Sequence, residues 1–120
     1  MITPVVWNLT LYIGGTFYGQ IAALQPNSQP MNLSGYSAVL MVRGKPTDAE
    51  PLFVLTTEED GGLTINVETG VVAWRKEDTL DLTPTNHADY DLQIISAGGT
   101  KDYLMLGKMD LRLMTARPEA

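Results

Sequence analysis

Cysteine is absent from the 120 residues. That removes disulfide frameworks, thiolate metal sites and cysteine nucleophiles together. Histidine is nearly absent: His87 stands alone in the loop TPTNHAD, so a transition-metal centre has no second imidazole to use. Long apolar runs are missing too. Met1 leads into ITPVVWNL with no basic segment before it, so neither a signal peptide nor a transmembrane helix is expected. Positive charge is sparse, with eight Lys and Arg against 14 Asp and Glu for a net charge of −6. The cations are scattered singly, whereas a nucleic-acid groove needs them clustered to replace phosphate counterions. The glycine pairs match neither G-x-G-x-x-G nor the P-loop, and no strand-to-helix transition follows them. No nucleic acid, membrane, cofactor or metal is expected as a partner.

What is present is alternation. Of the residues, 44% are hydrophobic, enough for one core in a chain of this size. In VVWNLTLYI (5–13), Trp7, Leu9, Leu11 and Ile13 share one face, with Asn8, Thr10 and Tyr12 on the other. Gly14-Gly15 breaks that run and 16–24 resumes it. QPNSQP (25–30) is a loop, because its prolines lack donors and its Asn and Ser favour turns. Strands are expected at 37–43, 52–57, 63–67, 71–75, 88–96 and 103–114. The clearest hairpin is LTINV and VVAWR around Glu68-Thr69-Gly70. Residues 76–82 lack alternation and suit at most one helical turn. About seven or eight short strands with turn signals between them predict an all-β sandwich or barrel. One domain is expected over 1–120, with the tail 115–120 frayed.

Few groupings offer chemistry. Glu58-Glu59-Asp60 reads as a solvated turn. Asp89 and Asp91 share a strand face, where like charges repel unless a cation lies between them; the EF-hand spacing for Ca²⁺ is absent. Asn8-Leu9-Thr10 and Asn32-Leu33-Ser34 fit the glycosylation sequon, but without a secretory signal both read as chance. Tyr12 and Tyr18 fall opposite apolar sets and are candidates for a stacking platform. Trp7 and Trp74 alternate with apolar sets and are assigned to the core. No catalytic residue emerges, and the chain reads as non-enzymatic.

The strand Ser37–Arg43 carries the anomaly. Ala38, Leu40 and Val42 form one face, yet the other holds Val39 and Met41 beside Arg43, where a free sandwich would be polar. LFVLTT is apolar on both parities, and Ile95 adds an apolar residue to the Asp89, Asp91 and Gln93 face. YLML, before Gly107, is also apolar on both sides, and Gly107 is a place for a bulge. A covering loop or terminus is one explanation. The other is an interface, with Val39, Met41, Phe53, Leu55 and Ile95 as candidates. Six methionines suit an adaptable surface of that kind.

The order of short motifs resembles small virion proteins of tailed phages, in particular the N-terminal domain of the phage baseplate upper protein. The matching steps are Gly14-Gly15-Thr16-Phe17, the corner Asn32-Leu33-Ser34-Gly35-Tyr36-Ser37-Ala38 leading to Val42-Arg43, and Leu55-Thr56-Thr57. They continue through Gly61-Gly62-Leu63-Thr64-Ile65, Thr69-Gly70, Tyr90-Asp91-Leu92 and Leu106-Gly107-Lys108. The likeness runs from about Leu9 to Arg117. Asn32 stands where the pattern has Asp, and Ser34 and Ser37 where it has Thr. The resemblance implies an immunoglobulin-like antiparallel β-sandwich without catalysis, placed in the virion. It also implies other virion proteins as partners and a homo-oligomer following the particle's symmetry. A tail or baseplate adaptor is the leading expectation. A capsid decoration protein and a carbohydrate- or receptor-binding module are the alternatives, with a hydrolase last.

Overall fold

The computed structural model describes residues 4–25, 27–45 and 48–114, so the tail expected to fray lies outside the described residues. Among the described residues nine strands form in order: β1 (Val5–Val6), β2 (Leu9–Ile13), β3 (Phe17–Ala22), β4 (Ser37–Arg43), β5 (Phe53–Thr56), β6 (Leu63–Asn66), β7 (Val71–Lys76), β8 (Thr85–Ile95) and β9 (Lys101–Leu113). They build two sheets. The larger runs β1-β9-β8-β4-β5, with β2 also on β9; the smaller runs β3-β7-β6. Three strands lie on one side, and on the other an end-to-front run pairs the last strand with the first. The two packed sheets are consistent with an immunoglobulin-like sandwich. The all-β expectation holds, and the sandwich replaces the barrel.

Two details depart from expectation. The run 5–13 divides into β1 and β2, which explains the extra strand. Both lie parallel to β9, in the register Val5↔Met105 and Leu9↔Met109, so the larger sheet is mixed rather than antiparallel. Between them the chain lifts over Gly107, where a Cβ would stand 2.5 Å from the Trp7 carbonyl oxygen. Gly107 is therefore a site of close backbone approach. The bulge lies earlier: the register steps from Leu92↔Met105 to Gln93↔Tyr103, leaving Leu104 unpaired and both Leu104 and Met105 buried. That step explains the double apolar parity of YLML.

The core fills the space between the sheets. Leu11, Ile13, Leu40, Val42, Leu92, Ile94, Met105 and Met109 are each no more than 1% exposed. Trp74 is buried over Gly19, whose missing Cβ would lie 2.5 Å from the indole ring. Trp7 does not join the core; it is 43% exposed and meets Trp74 edge-on at 6.2 Å. The corner at 32–38 forms as an Asx turn. The Asn32 side-chain oxygen accepts from Ser34 N–H at 3.0 Å, Gly35 takes φ 78°, and Leu33 anchors in the core.

No helical turn forms at 76–82 among the described residues; β7 extends to Lys76 and a turn follows. The segment is held instead by Thr79, 1% exposed, whose hydroxyl accepts from Gly14 N–H and donates to Gly15 C=O, both at 2.8 Å. The glycine break thus gains its backbone partners from a loop 64 or 65 residues away.

Candidate functional site

The outward face of the larger sheet is assembled by register. Residues directly opposite on neighbouring strands share a face. Met41 pairs with Asp91 on one side and Val54 on the other, and Asp91 pairs with Leu106, which pairs with Val6. The row Val6, Leu106, Asp91, Met41, Val54 therefore crosses five of the sheet's six strands, apolar except at Asp91. One step along the strands lies Lys108, Asp89, Arg43; one step the other way lies Tyr103, Gln93, Val39, Thr56. Beyond that row, Ile95 pairs with Ser37 and Lys101.

Of the five interface candidates, three stand on this face, Val39, Met41 and Ile95, all half-buried. The other two are corrected by the register of β5. Leu55 pairs with Leu40 and is 6% exposed in the core. Phe53 pairs with Val42, packs against the core and meets Phe17 edge-on at 6.4 Å. The outward residues of β5 are Val54 and Thr56. With both parities of LFVLTT apolar, only the pairing to β4 decides between them. Leu106 and Tyr103, 36% and 45% exposed, were hidden in the same way by the bulge at Leu104.

The charges on this face are arranged around a small cavity of about 120 Å³ between Met41, Arg43, Asp89 and Asp91. Lys108 Nζ lies 2.6 Å from Asp89 Oδ1. Arg43 donates to the Asp48 carbonyl at 2.6 Å and to Met41 Sδ at 3.0 Å. Burial raises the Asp91 carboxyl above the ordinary Asp range, and the Arg43 charge opposes that shift. Continuing along β9, Arg112 and Asp110 join the same face, paired at 2.8 Å. The face thus holds Arg43, Lys101, Lys108 and Arg112 against Asp89, Asp91 and Asp110. That is four of the chain's eight cations and three of its 14 carboxylates. Its formal charge is +1, leaving −7 for the rest of the chain.

The other groupings lie elsewhere. His87 is exposed, and in β8 rather than a loop, at the irregular register between Thr85 and Ala88. Tyr12 is exposed beside Arg112, its register partner. Tyr18, 71% exposed, borders an open concavity of about 1,060 Å³ outside the smaller sheet, with Gln20, Thr64, Ala73 and Arg75 and the Glu58–Asp60 turn around it. No group of three or more His, Cys, Asp or Glu among the described residues is arranged to hold a metal ion. Among the described residues lining the two concavities, no buried carboxylate stands beside a base or nucleophile.

No protein-family model and no curated protein matches the chain. Among solved structures, extracellular domains 3–5 of Drosophila OTK align with 90% of this chain at 14% identity and a TM-score of 0.37. The chain spans 33% of the length of that structure. By its own strand order, the molecule is an all-β sandwich of two packed sheets, consistent with an immunoglobulin-like fold.

Proposed function

We propose that this chain is a non-catalytic structural protein of a tailed-phage virion, a tail or baseplate adaptor that docks through the outward face of its larger sheet. The observation that carries docking is the apolar row Val6, Leu106, Met41, Val54, laid across five strands with one carboxylate in it. Outward apolar residues aligned across a sheet in this way mark protein interfaces. The phage setting is supported by the motif order from Leu9 to Arg117. The partners are other virion proteins, and the particle's symmetry repeats the subunit.

Locating the subunit tests the reading. Cryo-electron microscopy of particles carrying the chain is expected to place it on the tail or baseplate. Density on the icosahedral shell overturns the adaptor assignment in favour of capsid decoration. Absence from the particle overturns the virion assignment altogether.

Tyr18, standing over the concavity of the smaller sheet, favours a second reading, a carbohydrate- or receptor-binding module. Glycan binding that is lost in Tyr18→Ala supports it, and a blank glycan array removes it.

A further inference from the structure

We propose that the partner seated on the outward face of the larger sheet presents a basic side chain, lysine or arginine, to Asp91 from within an otherwise apolar contact. The inference rests on the docking reading for this face and adds the chemistry of the occupant. Three carboxylates stand on the face. Asp89 is paired with Lys108 at 2.6 Å and Asp110 with Arg112 at 2.8 Å. Asp91 has neither a hydrogen bond nor an ion pair among the described residues. Arg43 stands one step along β4 from Met41, the register partner of Asp91. Its guanidinium is engaged elsewhere, on the Asp48 carbonyl at 2.6 Å and Met41 Sδ at 3.0 Å.

The setting makes this lone carboxylate decisive. Asp91 lies in register between Met41 and Leu106 and is already half-buried. Burial raises its carboxyl, and the Arg43 charge offsets only part of that shift. A protein laid over the row removes the water that remains. An apolar partner would then strand the carboxylate without a counter-charge, which is strongly unfavourable. A partner with a cation at that point completes the pair and gains charge-assisted hydrogen bonds. The cavity of about 120 Å³ between Met41, Arg43, Asp89 and Asp91 gives the incoming head group room beside the carboxylate.

The lone fold gives no reason for an aspartate here. The carboxylate makes no bond within the sandwich, and its burial is unfavourable wherever it is ionised. Asparagine would keep the shape without the charge, and leucine would complete the apolar row. A counter-charge from outside is what the aspartate serves. It also discriminates, because an apolar surface of the same shape leaves Asp91 buried and unpaired and is rejected.

The test is cosedimentation of the purified chain with tailed-phage particles assembled without it. Wild type is expected to bind saturably. Asp91→Asn removes the charge and keeps the shape, and is expected to raise Kd more than about tenfold. Asp91→Leu extends the apolar row and is expected to weaken binding at least as much, because it buries the partner's cation against methyl groups. Urea unfolding of the chain alone is expected to show Asp91→Asn no less stable than wild type at neutral pH. Val54→Arg, at the end of the row, reads docking itself and is expected to weaken binding. If Val54→Arg weakens binding while Asp91→Asn and Asp91→Leu bind as well as wild type or better, this inference falls and docking stands. A lower urea midpoint for Asp91→Asn also overturns it, since the carboxylate then serves the fold. If wild type does not bind, or Val54→Arg binds undiminished, the docking reading falls and takes this inference with it.

Discussion

The Tyr90 hydroxyl donates to the Trp7 carbonyl, tying the opening of the chain to β8 across 83 residues of sequence. The contact exists because Tyr90 faces Gly107 in the register of β8 and β9. Without a Cβ at Gly107, the Trp7 backbone descends onto the sheet there, its N–H donating to the Leu106 carbonyl at 2.9 Å. Immediately after it, the Asn8 side-chain oxygen accepts from Lys108 N–H at 3.0 Å. These contacts together fix the crossing from β1 to β2.

Tyr90→Phe removes one hydrogen bond while keeping the buried ring, and is expected to cost about 1 kcal/mol in urea unfolding. It also changes the alkaline limb. Burial pushes the Tyr90 hydroxyl from its ordinary value near 10 up to about 12. Above pH 10 the unfolded chain releases this proton while the folded chain keeps it, so stability falls as pH rises toward 12, by at most about 1.4 kcal/mol per pH unit. Unfolding titrations between pH 9 and pH 12 are expected to show a shallower decline in Tyr90→Phe than in wild type. Equal slopes would show that Tyr90 ionises alike in both states.

Gly107→Ala is expected to destabilise by about 1–3 kcal/mol, as overpacking does when the obstacle is backbone. The added methyl would meet the Trp7 carbonyl at 2.5 Å, and the carbonyl is held on its other side by Tyr90. Denaturant midpoints measure the loss. Because the two changes act on one contact, the double variant with Tyr90→Phe is expected to cost less than the sum of the singles.

The sequence carried the strands and the hairpin well, because alternation and turn residues are local. The strand Ser37–Arg43 and the turn at Gly70, with φ 68°, follow from residues within a few positions. Facing was harder. Trp7 alternates with Leu9 and Leu11, yet the crossing over Gly107 turns it partly into solvent, and that depends on a strand 100 residues later. Leu55 and Val54 are equally apolar, and only their pairing with Leu40 and Met41 sends one inward and the other outward. The face itself was legible at Val39, Met41 and Ile95. Its full width was not, because Val6 and Leu106 reach it through long-range register.

Thr79→Val is nearly isosteric but leaves the Gly14 N–H and the Gly15 carbonyl without their hydroxyl partner. The expected cost is about 1–3 kcal/mol in unfolding free energy. Thr79→Ser keeps the hydroxyl and is expected to recover most of it. If valine and serine behave alike, the site is held by packing and the two hydrogen bonds contribute little.

Leu55 and Met41 separate core from surface on adjoining strands. Leu55 sits opposite Leu40 inside the sandwich, 6% exposed; Met41, half-buried, lies on the other side of the same sheet. Leu55→Ala removes buried methyl groups and leaves a cavity, so a loss of about 2–5 kcal/mol is expected. Met41→Ala opens no interior space, and at protein concentrations low enough for monomers the expected change is within about 1 kcal/mol. Thermal unfolding of both variants at low micromolar concentration measures the contrast. A large loss for Met41→Ala would mean that residue 41 is structural, and the docking face would lose its central apolar contact. With the predicted contrast, the apolar character of Met41 has no folding role to explain it, and contact with another protein is what remains.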